Sequence, residues 1–175
     1  MTDELRQRTQ RLRAAFDRTF AGPPVAQPPT EALLAVVAGG ARYALRMSEI
    51  SELVSDRVVI AVPSPVAELR GVVGVRAEVI AVYDLAALLG HARAEAPRWL
   101  AVCGEGGGRA ALAFDGLDGH LRVARADVHA AADRTHAHLI EVVRIDAETR
   151  PIVSVPALLD TLSKKCAASR AAQER

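Results

Sequence analysis

The chain has 175 residues, half of them hydrophobic and a quarter charged, and its 22 basic and 21 acidic residues leave a net charge of +1. That length suits one substantial domain or two small ones, and the near-neutral balance lacks the electrostatic footprint of a duplex binder. Aromatic residues make up only 3%, too few rings for a base-stacking platform, so the core must be built from Val, Leu, Ile and Ala.

The chain opens MTDELRQRTQRLR, with no apolar stretch that would read as a signal peptide. Residues 3–20 lack Gly and Pro and place Leu5, Leu12, Phe16 and Phe20 at steps of seven, four and four, with arginines on the flanks. That spacing predicts an amphipathic helix within residues 1–21. Docking onto its own domain or a partner suits this narrow stripe better than a membrane surface, because Asp3, Glu4 and Asp17 dilute the positive charge. Residues 22–30 carry Pro23, Pro24, Pro28 and Pro29 and read as a semi-rigid linker. Residues 31–162 are the body, and 163–175 a polar, Ala-rich tail able to extend a final helix.

The body reads as short strands. ALLAVVA (32–38) and RYAL (42–45) flank Gly39-Gly40 as a hairpin. EISELVS (49–55), VVIAV (58–62), LRGVVGV (69–75) and EVIAVYD (78–84) follow. A short helix over Leu85–Leu89 has Asp84 as its cap and Gly90 as its stop. WLAVC (99–103), the GEGGG turn and RAALAFD (109–115) make a second hairpin. GHLRVA (119–124), LIEVVRID (139–146) and RPIVSV (150–155) complete the strands, and Pro156 opens a short C-terminal helix to Leu162. A weak internal echo joins Leu45 to Leu112 and Ala87 to Ala157, at offsets of 67 and 70 residues. It predicts two similar β subdomains, each opened by a hairpin and closed by a helix. The longest uncharged apolar stretch, residues 32–41, is too short to span a bilayer, and cytosol is the expected location.

No catalytic constellation emerges. GEGGG at 104–108 lacks the Gly-Lys-Ser/Thr ending of a phosphate cradle and runs into a strand at Arg109. His136 and His138, with His129 nearby, have no Cys, Asp or Glu at metal-ligand spacing and read as a solvated loop. Cys103 and Cys166 form no disulfide framework, and Cys103 reads as a small buried hydrophobe. Asp84 and Asp115 sit at strand ends, where a capping or turn role is expected. The expectation is a protein that is not an enzyme, with no cofactor and no metal.

Residues 69–89, LRGVVGVRAEVIAVYDLAALL, resemble the signature of the CheW-like family of chemotaxis coupling proteins, through Gly71, Val72, Arg76, Val79, Val82, Asp84 and Leu85. Upstream, Tyr43, Ala44, Leu45, Ile50, Glu52, Pro63 and Pro65 fit the same pattern; downstream, ALAFDGLDG and PIVSVPALL do. The resemblance spans residues 31–162. It implies a mainly β fold of two SH3-like five-stranded β-barrels and a non-enzymatic adaptor in a two-component signalling array. The implied partners are a CheA-type histidine kinase regulatory domain, docked on one barrel, and the helical tip of a chemoreceptor, held between the barrels, with no nucleic acid and no insertion into the membrane. It implies partner contacts at Ile50, Glu52, Gly71, Gly74 and Arg76. The chain departs from the family pattern at Gly74, Ala77 and Ala81; Ala77 would strain a turn needing positive φ unless Gly74 relieves it. A module with only one of the two partners, or a β-barrel associated with RNA or the ribosome, are the alternatives.

Overall fold

In the computed structural model, residues 7–10, 13, 28–93, 95–132, 137–145 and 148–173 are described. Residues 7–10 and 13 are helical and exposed. Leu5, Leu12, Phe16, Phe20 and the linker before Pro28 lie outside the described residues, as does His136.

Strands β1 (Thr30–Ala38) and β2 (Ala41–Arg46) form the opening hairpin. Gly39 and Gly40 both take positive φ in its turn, and the Asp115 carboxylate accepts from the Gly39 N–H at 2.8 Å. β3 (Ile50–Ser55), β4 (Leu69–Val75) and β5 (Glu78–Asp84) follow, then the short helix α1 (Leu85–Leu88). Asp84 Oδ1 caps α1 by accepting from the Ala87 N–H at 3.0 Å. β6 (Trp99–Cys103), β7 (Ala110–Phe114), β8 (Gly116–Ala124), β9 (Val128–Ala130), β10 (Glu141–Ile145) and β11 (Glu148–Val153) lead into α2 (Val155–Gln173). The final helix is longer than the sequence suggested. Nothing after Pro156 breaks it, and its Ala, Lys, Arg and Gln residues favour helix.

The strands form two sheets, ordered β8-β1-β2-β11-β10-β9 and β3-β6-β7-β5-β4. The pairs are antiparallel except β2–β11 and β5–β7. The five strands of the second sheet match the first five places of the first, and the bridge at Ile60 matches β9, so the echo read from the sequence marks a true structural repeat. Ser154 stands at the equivalent of Asp84 and accepts from the Ala157 N–H at the start of α2. The subdomains are not the two halves of the chain, however. Hairpin β1–β2 leaves its own half to pair with β8 and β11, and hairpin β6–β7 pairs with β3 and β5. Each sheet therefore takes the other half's opening hairpin.

Burial explains the exchange. The exchanged hairpins are apolar on both faces, which suits strands sandwiched between two cores. In β6 and β7, Leu100, Val102, Ala111 and Ala113 face the interior of the second sheet. The alternate residues Ala101, Cys103, Leu112 and Phe114 face a larger core shared with the first sheet and both helices. β1 and β2 behave likewise, with Leu33 and Ala44 turned into the first sheet and Leu34, Val36, Tyr43 and Leu45 into the shared core. β8 has a single buried face: Leu121 and Val123 pack inward while His120 and Arg122 are exposed.

Each sheet is drawn closed by its own chain. In the first, the outer strands β8 and β9 are joined by one 3₁₀ turn, Arg125–Asp127. In the second, the segment VVIAV is not a full strand: Ile60 alone makes an antiparallel bridge, exchanging two 2.9 Å hydrogen bonds with Val72 of β4. Residues 50–62 thus run from one edge of that sheet to the other. Gly71 makes the closure possible. Its φ is +146°, and a Cβ there would lie 2.0 Å from the Ile60 carbonyl oxygen.

The β4–β5 turn keeps the strain expected of Ala77 and corrects only the relief expected from Gly74. Arg76 and Ala77 both take positive φ, at 46° and 64°, the geometry of a tight hairpin turn. Gly74 does not relieve the turn, because it lies in the β4–β5 ladder opposite Val79. Gly71→Ala should lower the unfolding free energy by more than about 2 kcal/mol in urea titration, because backbone must move to admit a methyl. Ala77→Gly should raise it, by up to about 1 kcal/mol, by removing the left-handed strain.

Candidate functional site, a groove between the sheets and an outward sheet face

The passage from the first sheet to the second runs through one 3₁₀ turn, Met47–Glu49. Arg46, at its start, is a charge hub. Its guanidinium meets Glu31 of β1 at 2.8 Å, Glu141 of β10 at 2.6 Å and Glu49 at 3.9 Å. Glu49 reaches the other way: its Oε2 accepts from the Val155 N–H at 2.9 Å, capping the first turn of α2. Burial pushes the Glu49 carboxyl above its ordinary range, against the opposing pull of the Val155 N–H and Arg46.

Beside this tie lies an open groove of about 530 Å³. Ile50, Val155, Pro156 and Leu159 give it an apolar floor, and Ser48, Ser51 and Glu105 stand among its polar lining residues. It runs between the inter-sheet turn, the Gly104–Glu105 turn and the first turns of α2, a shape suited to an apolar side chain or a helix edge.

The second surface is the outward face of β4 and β5. Ile60, Val72 and Ala81 lie side by side across it, and Gly74 pairs with Val79. Val79 is 77% exposed and Val58 84%. Nothing lies within 4 Å of where a Gly74 Cβ would sit, so the glycine leaves an open notch in an apolar face. At the end of that face, Arg76 Nε meets Glu52 Oε2 at 2.9 Å, linking the β4–β5 turn to β3 across the open edges of the sheet. The Arg76 side chain is 78% exposed, so the pair contributes little to stability.

The five residues implied as partner contacts thus separate. Ile50 lines the groove. Gly74, Glu52 and Arg76 share the second surface. Gly71 is buried against the Ile60 carbonyl and presents no surface. The acidic end residues serve structure, as expected: Asp84 is fully buried, caps α1 and accepts from Arg70 at 2.5 Å. Cys103 is buried, and its thiol is pushed up to about 12, chiefly by burial. His138 is buried, not solvated, because the 137–138 turn packs in so that its carbonyl accepts from the Ser154 N–H. The sequence reading missed Glu49 and the α2 side of the groove. The carboxylate that opens the segment EISELVS was the available signal, but only the fold shows which helix start it meets.

Because burial raises the Glu49 carboxyl, its protonated form is favoured in the fold. That stabilisation is present in acid, below the ordinary carboxylate range, and is lost as pH rises through the raised value. Glu49→Gln keeps an acceptor for Val155 without the charge. Its stability should match or exceed the parent's at pH 7, and the gain should vanish as pH falls below the carboxylate range. Glu49→Ala should cost about 1–2 kcal/mol, by orphaning the Val155 N–H. Thermal melts across pH read both.

The described residues contain no helix long and apolar enough to cross a membrane. They also contain no group of three or more His, Cys, Asp or Glu placed to hold a metal ion. No curated relative matches the sequence. The fold is shared with a solved structure, the scaffolding protein TtCheW from Thermoanaerobacter tengcongensis, at 16% identity and a TM-score of 0.66, covering 74% of this chain and 90% of that one. The family profile of the CheW-like domain matches residues 32–163. With the interleaved sheets described above, that match places the chain in the CheW-like family of scaffold proteins.

Proposed function

We propose that this protein is a non-enzymatic adaptor that couples chemoreceptors to a CheA-type histidine kinase, working in the cytoplasm beside receptor arrays. The observation that carries the reading is the separation of two surfaces along one strand. At the start of β3, Ile50 faces the groove beside α2. Two residues on, Glu52 pairs with Arg76 at the end of the apolar face around Gly74. An adaptor needs two such surfaces free at once, so that holding one partner raises the effective concentration of the other.

On this reading the groove takes the helical hairpin of a receptor tip, laying apolar helix residues against Ile50, Pro156 and Leu159. The outward face of β4 and β5 takes the regulatory domain of the kinase. The Gly74 notch admits an apolar side chain there, and the exposed Arg76 guanidinium offers its remaining donors to polar groups of the partner. Gly71 stays inside as the closure of the barrel.

Isothermal titration against each isolated partner tests this. Gly74→Arg should weaken kinase-domain binding at least tenfold and leave receptor-tip binding unchanged, about 1.4 kcal/mol or more by the usual conversion. Leu159→Arg should do the reverse. A folded protein that binds neither partner sinks the coupling role. Binding of one alone reduces it to a single-partner module.

A further inference from the structure

Residues 58–62 read VVIAV, five uncharged apolar residues between Arg57 and Pro63. Ile60 turns its N–H and C=O inward to Val72, at 2.9 Å each. In an antiparallel ladder the main-chain groups of the flanking residues then point the other way. Val59 and Ala61 therefore aim theirs away from β4, and among the described residues nothing bonds to them. The side chains alternate from Val58 to Ile60, and beyond it Ala61 is exposed as well. Val59 packs against the interior of the second sheet, whereas Val58, Ile60 and Val62 face out, 84%, 64% and 37% exposed. An open edge with apolar side chains is a template for another strand. The elements that usually blunt such an edge, a charge or a proline, stand only outside the run, at Arg57, Pro63 and Pro65. The equivalent edge of the first sheet is different: His129 occupies the place of Ile60, paired to Val142 as Ile60 is to Val72, and Asp127 stands two residues before it.

We propose that this edge pairs with the same edge of a second copy of the chain, antiparallel about a two-fold axis through Ile60. The run matches itself under that symmetry. Val58 of one copy meets Val62 of the other, Val59 meets Ala61, and Ile60 meets Ile60. The ladder phase agrees as well. The free groups of Val59 and Ala61 form the hydrogen-bonded pairs, giving four main-chain bonds. Ile60 falls in the non-hydrogen-bonded pair, where opposed side chains approach most closely. No charged side chain enters the pairing, and two-fold pairing closes on itself without making a filament. Edge-on pairing uses neither the groove beside α2 nor the notch at Gly74, although it draws on Ile60 of the same outward face.

A five-residue edge buries less than a standard stable interface, so the dimer is weak and concentration-dependent. Sedimentation velocity on the full chain should show monomer at low micromolar concentration and a rising dimer fraction toward about 300 μM, as an interface this small implies. Ile60→Lys, on an outward side chain, should leave the thermal melt unchanged and weaken the dimer at least tenfold. Mild oxidation in a Cys166→Ser background reads the register. Ile60→Cys should crosslink to itself, the double variant Val58→Cys with Val62→Cys should crosslink, and Val58→Cys alone should not. A chain that stays monomeric throughout, a dimer that survives Ile60→Lys, or equal crosslinking by Val58→Cys and Ile60→Cys would each overturn the pairing.

Discussion

Neither half of this chain can close its own sheet. The two-faced hairpins β1–β2 and β6–β7 each need a core on both sides, and the fold supplies it by exchanging them. One face fills the interior of the host sheet, and the other fills the space between the sheets. The shared core is therefore the middle of the structure and not a seam between two finished domains. The inter-sheet turn, the cap that Glu49 gives α2 and the groove beside it all depend on that arrangement, because they lie where the chain leaves one sheet for the other.

Composition follows from the same constraint. Strands packed on both faces favour compact side chains where layers meet. Ala101, Ala110, Ala111 and Ala113 are all at most 6% exposed. Among the described residues, Phe114 is the one aromatic fully buried, facing the shared core from the end of β7. The low aromatic content that first argued against base stacking is thus a packing feature. It leaves the outward face to aliphatic residues, Val58, Ile60, Val72 and Val79, so that contacts there rest on shape and on a few guanidinium groups.

Much of the fold was legible in the residues. Apolar runs such as WLAVC and RAALAF named the two-faced strands, GHLRVA named a one-faced strand by its alternation, and Asp84 announced the cap of α1. The offset of about 70 residues correctly marked a repeat. What the residues could not show is which hairpin pairs with which half, because both hairpins carry the same apolar pattern and pairing across the chain leaves no local trace. The site was legible in part. Arg76 and Glu52 stood out by motif, and they meet. Gly71 stood out for the same reason but serves the barrel interior, since a glycine that admits a carbonyl and one that opens a surface notch look alike in sequence. VVIAV read as a strand, yet only its central residue bridges. Pro63 and Pro65 follow at once, and proline has no N–H to extend a ladder.

The exchange also sets how early in synthesis this protein can begin to fold. Hairpin β1–β2 leaves the ribosome early, but the strands it must pair with, β8 and β11, are more than 70 residues further along. Its apolar faces wait for them through most of synthesis. Contacts this distant in sequence slow folding and lengthen the time that strand edges stay exposed. For this architecture the nascent chain, more than the finished protein, is the state that chaperones must guard.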